Sequence, residues 1–404
     1  MPDFMTALSA LDAHSKAIDA VGSNLANLNT TGYKTGVAAF RDMVTQTVGP
    51  GGQIGVGVAP VTVQRQFAQG ATQATSGPLD AAIQGDGFFL LRNLQGKELY
   101  TRAGNFRFDS SGKLLTNTGE SVQGWVDPTG KVTTTGPVGN IVIPAGTLKP
   151  PLKTTTFSLD LNLNAQAAKG DVFSTSIDIY DSLGAVHTVS VTYTKKGANS
   201  WDYSISVPTA DLKSAFTPVT GTLTFDAAGK LDSSTTAPPT VAVKGWANGA
   251  QDQDMAFQIL NGTTGRVTQY AQSSAVSGIA QDGSGAAGML KVAIADGGKI
   301  LASYSDGKTL AIGQLALVSF RNSDSLIPTG DNNFQVGADS SAPVIGLPET
   351  GGRGKILGSA LEASNVDLAK EFTNLMVYQR GYQANAKVIT TMDDLTQATL
   401  NLKQ

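Results

Sequence analysis

The sequence predicts an α+β fold: long terminal α-helices form a coiled-coil-like domain, and two mainly antiparallel β-domains are inserted between them. Three observations predict it. Apolar residues recur at helical spacing at the two ends of the 404-residue chain, the middle alternates apolar with polar residues, and the turn signature Asp-x-x-Gly punctuates that middle.

The first element covers residues 1–30. Phe4, Leu8, Leu11, Ile18, Val21, Leu25 and Leu28 fall at steps of three, four or seven, which places them on one stripe of a helix. Residues 31–75 follow as a Gly-rich connecting arm, read as extended from Thr31-Gly32-Tyr33, Gly49-Pro50-Gly51-Gly52 and Gly55-Val56-Gly57. Strands come next. Phe106-Arg107-Phe108, His187 to Tyr193 and Trp201 to Val207 alternate with period two. Trp201 and Tyr203 are read as facing opposite sides, one of them in the core. Hairpin turns are predicted at Asp109–Gly112, Asp127–Gly130, Asp181–Gly184 and Asp226–Gly229, where Asp bonds its own backbone and Gly takes the left-handed conformation. Pro144, Pro150 and Pro151 mark one boundary, and the Gly-rich run Asp282 to Gly288 marks another. Residues 148–285 therefore read as an inserted outer β-domain, and 76–147 with 286–359 as a discontinuous inner one.

The closing segment, 360–404, completes the terminal helical domain. Ser364-Asn365-Val366-Asp367 fits a capping box at a helix start. Leu368, Phe372, Leu375, Tyr382, Ala386 and Ile389 then alternate steps of four and three, with Gln379 at the missing position. The seam shifts to Val388, Met392, Leu395 and Leu402. A helix from Val366 to Leu402 would be about 55 Å long, and so narrow a stripe over that length suits a coiled coil with the amino-terminal helix and with copies from other chains.

Composition excludes several classes of function. Lys and Arg number 29 against 32 Asp and Glu, so net charge draws the chain to neither nucleic acid nor a membrane surface. Charged residues are 15% of the chain, below the usual level of about 25%. There is no cysteine, and only His14 and His187 are available as imidazoles, so thiol chemistry and a multi-histidine metal centre are ruled out. The common nucleophile-elbow, phosphate-loop and dinucleotide motifs are missing, and Lys34-Thr35-Gly36 is read as a turn. No catalytic residue, metal ligand or cofactor is assigned. No apolar run reaches the roughly 20 residues that cross a bilayer, so no membrane insertion is expected. The start of the sequence lacks the pattern of a cleavable signal.

Three motifs carry a resemblance. Ser23 to Lys34, containing Asn24, Asn27, Gly32 and Tyr33, is similar to the amino-terminal signature of the bacterial flagellar rod and hook axial proteins. Leu79 to Phe89 with Tyr100 to Leu114, containing Gly85, Gly87, Phe88, Arg102, Gly104 and Phe106, resembles the family's next block. Leu361 to Asn385, containing Asn365, Asp367, Gln379 and Arg380, resembles its closing block. Rod members are shorter and lack a large middle insertion, so the length resembles that of members building a flexible joint.

That resemblance implies a non-enzymatic structural subunit that polymerises into a helical tube of identical copies, passes torque from rod to filament and encloses an export channel. It implies export through a type III apparatus to the cell exterior, with rod, hook cap and hook-filament junction proteins as partners. Leu8, Leu11, Ile18, Leu25, Leu368, Phe372, Leu375, Tyr382 and Ile389 are the expected assembly interface. A distal rod subunit and a β-rich surface adhesin are the alternatives.

Overall fold

The computed structural model describes residues 2–45, 54–143, 146, 148–232 and 238–401. Leu402, Gly49 to Gly52 and Pro144 lie outside the described residues. The fold is α+β, with helices at the two ends and mainly antiparallel sheets between them. Two compact units are present. One comprises Met1–Ala145, Lys291–Ser303 and Thr309–Gln404; the other comprises Gly146–Leu290 and Tyr304–Lys308.

In the first unit, helix α1 (Pro2–Ala26) packs against helix α2 (Leu368–Asn401). The pairing is antiparallel: Asn24, near the end of α1, bonds Glu371 at the start of α2, while His14 packs on Gly381 further along α2. The inner face of α1 is lined by Ala7, Ala13, Ala17, Ala20, Val21 and Asn24. Small residues at this spacing let the helix backbones approach closely. The capping box is displaced. Asp367 is the cap, its Oδ1 accepting from Ala369 N at 2.9 Å and Lys370 N at 3.1 Å, so the helix begins at Leu368. A carboxylate next to free amides outcompetes a serine placed three residues too early.

The region expected to be an extended arm is a folded ladder. Strands β1 (Gly36–Ala39) and β4 (Thr62–Arg65) pair antiparallel, as do β2 (Asp42–Thr45) and β3 (Ile54–Val58), giving one long hairpin laid along α1. Gly57 explains how the ladder fits: its φ is +115° and a Cβ there would overlap Ser9. The amino-terminal third is then stitched to the returning chain. Thr72–Ala74 pairs with Ala360–Glu362, and Ala81–Gln84 pairs with Lys355–Gly358. Beyond them an antiparallel sheet runs through Thr309–Leu315, Ser121–Val126, Phe88–Arg92, Glu98–Thr101, Asn333–Gln335 and Ile327–Gly330. Its core is aromatic. Phe67, Phe88 and Phe334 meet edge to face with centroids 5.1–6.0 Å apart.

The second unit has two sheets over one apolar core. Val172–Tyr180, Val186–Gly197, Ser200–Ser206 and Val219–Thr224 form an antiparallel meander. The other sheet centres on Thr156–Asn164, which pairs parallel with two strands and antiparallel with Ala275–Gln281. Trp201 and Tyr203 both enter the shared core. The opposite-face reading is overturned because residues two apart on a strand share a face.

All four Asp-x-x-Gly turns form as expected. Gly112, Gly130, Gly184 and Gly229 have φ between +75° and +83°, and each donates its N–H to the carbonyl of the leading Asp at 3.0–3.1 Å. Asn93–Gly96 builds the same turn with Asn in place of Asp.

Candidate functional site

Residues from each of the three motifs meet in a buried polar clasp in the first unit. Its centre is Glu362, whose side chain is fully buried. Oε1 accepts from Lys34 Nζ at 2.7 Å and from Gly70 N at 2.9 Å, and Oε2 lies 3.3 Å from Arg102 Nη1. Two cations and one carboxylate share a site that water scarcely reaches. The remaining donors are directed to carbonyls: Lys34 Nζ bonds Ala68 O and Arg102 Nη2 bonds Gly85 O, both at 2.8 Å. Burial pushes the Lys34 ammonium below its ordinary range, with Glu362 acting against it, and Arg102 is lowered for the same reason. Arg102 also lies over the Phe88 ring, 5.3 Å from its centroid.

A second layer ties in the helices. Asn24, 1% exposed, donates to Gly36 O at 2.8 Å and to Glu371 Oε2 at 3.1 Å, while its Oδ1 accepts from Gly36 N and Tyr33 Oη. Asn365 Oδ1 accepts from both Thr35 N and Thr35 Oγ1 at 2.7 Å, and its Nδ2 donates to Gln66 O and Ala68 O. The Gly32 N–H reaches Glu362 O at 2.8 Å. Gly32, with φ +68°, passes so close to Arg102 and Ala103 that a Cβ would come within 2.7 Å of their backbone. At Gly104 a Cβ would overlap the Ala81 carbonyl, and Phe106 packs edge to face on Phe89 at 5.1 Å. Gly85 and Gly87, at φ +98° and +130°, turn the chain into the strand that carries Phe88.

Lys34-Thr35-Gly36 is therefore corrected: it is an extended, buried run leading into β1 rather than a turn, held there by the Glu362 and Asn365 side chains. Asn27 bonds within its own helix end and to Thr30. Gln379 and Arg380 stay exposed on α2. Sequence reasoning missed Lys34, Glu362 and Glu371 as members of the clasp, and also Arg65, whose Nη1 donates to Tyr33 Oη and Lys34 O, both at 2.8 Å. One signal for Glu362 was available: it alternates with Ala360 on a short strand, and a lone carboxylate on an inward face requires cations to meet it.

The expected assembly residues lie elsewhere. Leu8, Leu368, Phe372 and Tyr382 are exposed in the single chain, and Leu11, Ile18, Leu25, Leu375 and Ile389 are half-buried. The helix crossing itself is made by His14 with Phe40, Tyr378 and Gly381; the ring centroids of the three aromatics are 5.4–6.3 Å apart. Phe4, Met5, Met376, Val377, Val388 and Leu395 add to the exposed apolar surface of the two helices. Among the described residues, no group of three or more His, Asp or Glu could hold a metal ion.

Comparison with known proteins gives a consistent picture. Four family profiles match successive parts of the chain: "Flagella basal body rod protein" at residues 4–34, "Flagellar hook protein FlgE/F/G D1 domain" at 82–162, "Flagellar basal body protein FlaE D2 domain" at 162–284, and "Flagellar basal body rod FlgEFG protein C-terminal" at 357–402. The chain is 33% identical to the flagellar hook protein FlgE of Escherichia coli K12, over 99% of this chain and all of that one. It is 33% identical to FlgE of Borreliella burgdorferi over the full length of both. A crystal structure of Helicobacter pylori FlgE2 shares the fold, with a TM-score of 0.54 at 15% identity, covering 70% of this chain and 99% of that one.

Proposed function

This chain belongs to the flagellar hook protein family, and we infer from that premise how its surfaces serve the polymer. It is a structural subunit of the flagellar hook, and it associates with copies of itself there. We assign the polymer the form of a flexible helical tube, a universal joint that passes torque from rod to filament and encloses the export channel. Residues 1–30 and 360–404 make the inner, coiled-coil-like layer. The β-rich parts, 76–147 with 286–359 and 148–285, project outward. Rod, hook cap and hook-filament junction proteins are its neighbours at the ends of the tube, and the type III apparatus delivers it outside the cell. No catalysis is assigned.

The observation that carries this reading is the contrast along the two helices. Their roots are fixed by a fully buried clasp, whereas Leu8, Phe372 and Tyr382, at 41–50% exposure, remain available to other chains. Exposed apolar side chains on an anchored element are what an association face requires. A head-to-tail contact whose rotation does not close on itself generates an open-ended helical polymer rather than a ring, and that is the contact we assign. Removal of residues 368–401 from purified protein tests it. Loss of tubes in electron micrographs is expected. Tubes that still form would place assembly in the β-units, and monomers that bind glycans would favour an adhesin.

A further inference from the structure

We propose that Asn261 is a self-modifying residue of the second unit: its side-chain amide is lost to attack by the Gly262 backbone nitrogen, leaving aspartate or isoaspartate at the tip of a hairpin. The dipeptide Asn-Gly occurs twice in the sequence, at Asn248-Gly249 and Asn261-Gly262. Glycine carries no Cβ to hinder the approach of its nitrogen to the preceding side chain, so local sequence arms both positions alike. The structure separates them.

Asn248 is held on three sides. Its Nδ2 donates to Asp181 Oδ2, its Oδ1 accepts from Ala250 N at 3.0 Å, and Gly249 N, the nitrogen that would attack, donates to Trp246 O at 3.1 Å. The anchors are themselves fixed. Asp181 and Trp246 are fully buried, and Asp181 also accepts from Leu183 N and Ala185 N. Ring closure at Asn248 must give up these hydrogen bonds, one of them to a carboxylate.

Asn261 has none of these restraints. It is exposed, and among the described residues its side chain makes no hydrogen bond and the Gly262 N–H finds no acceptor. Leu260–Asn261 and Thr264–Gly265 form a ladder of their own, Leu260 opposite Gly265 and Asn261 opposite Thr264, that joins no further strand. Gly262, at φ +63°, leads the turn, and a Cβ there would meet nothing within 4 Å. Leu260 is packed on the apolar core, so opening is confined to the tip. A ladder this short opens locally, and opening lets the Asn261 amide carbon rotate onto the Gly262 nitrogen.

The reaction balances with water as its co-reactant. Gly262 N gives its proton to solvent and bonds to Cγ of Asn261; the Cγ–Nδ2 bond breaks, and Nδ2 takes a proton from solvent and leaves as ammonia. Water then opens the cyclic imide. Attack at Cγ gives aspartate, and attack at the backbone carbonyl gives isoaspartate, with the chain running through the former side chain. Nothing is oxidised or reduced. Each conversion adds one negative charge to a chain whose formal net charge is -3. Isoaspartate also lengthens the backbone by a methylene, which breaks the pairing of position 261 with Thr264.

Incubation of the full chain, native and unfolded in guanidinium chloride, tests this by peptide mass mapping and by isoaspartyl methyltransferase labelling of the digests. In the native chain Asn261 is expected to convert at least about tenfold faster than Asn248, whose hydrogen bonds raise its barrier. In the unfolded chain the two rates should be similar. Asn261→Gln should remove the label from its own peptide and leave conversion at Asn248 unchanged. Equal native rates, faster conversion at Asn248, or the same tenfold ratio in denaturant would overturn the proposal. So would a native Asn261 that stays intact over an incubation that converts it in the unfolded chain.

Discussion

Glu362 connects Lys34, Arg102 and the Gly70 amide, side chains and backbone from three separate stretches of sequence. A buried ion cluster contributes little net stability when complete, because desolvation offsets attraction, but breaking it leaves uncompensated charge. Glu362→Gln should therefore cost about 3–5 kcal/mol in denaturant unfolding, and a loss below about 1 kcal/mol would mean that water already reaches the site. The turn carboxylates make a second prediction. Asp109 is held below its usual range by Ser111 and the Lys113 amide, and Asp127 by Thr129. A depressed carboxyl stabilises the fold above the unfolded value near 3.9 and stops doing so as pH falls through the lower folded value. Asp109→Asn keeps the acceptor oxygen but not the charge, so it should lose less stability than wild type between pH 5 and pH 2; an equal loss would contradict this account. At this scale the sequence was legible in part. Motif positions pointed to Asn24, Arg102 and Asn365, but Lys34 passed for a turn residue because its partner lies 328 positions away. No local pattern encodes such a pairing.

Elements were read well where a local rule decides them. The Asp-x-x-Gly turns formed because four residues suffice to define the turn, and the end helices formed because their apolar spacing is long and regular. The arm was misread: glycine suggested extension, whereas its short strands are set by packing on α1 and by Gly57, which only tertiary context reveals. The helical stripes divide: Val21 is buried, Leu11, Ile18, Leu25, Leu375 and Ile389 are half-buried, and Leu8, Leu368, Phe372 and Tyr382 are exposed, because small residues such as Ala13, Ala17 and Gly381 take the tightest positions. Gly381 tests that contact. Alanine there gains about 1 kcal/mol of helix propensity, yet its Cβ would come within 2.6 Å of the His14 ring. The clash should win, lowering the thermal midpoint in Gly381→Ala, and His14→Ala in the same chain should restore it. A raised midpoint in the single variant would show that the His14 ring can move aside without cost.

At the scale of the molecule, low charge, abundant glycine and the lack of cysteine first read as absent chemistry. They fit a chain that associates with its own copies. The central claim is that the exposed apolar positions on α1 and α2 exist for other chains, while the clasp beneath them holds the single chain together. Replacing Leu8, Leu368, Phe372 and Tyr382 together by serine separates the two roles, because these side chains are 41–50% exposed and make none of the clasp's ion pairs. Electron microscopy of the purified variant, with circular dichroism as the check on folding, is the most direct measurement. The account predicts a folded protein with wild-type helix and strand content that forms no tubes. Tubes as abundant as those of the wild type would contradict it.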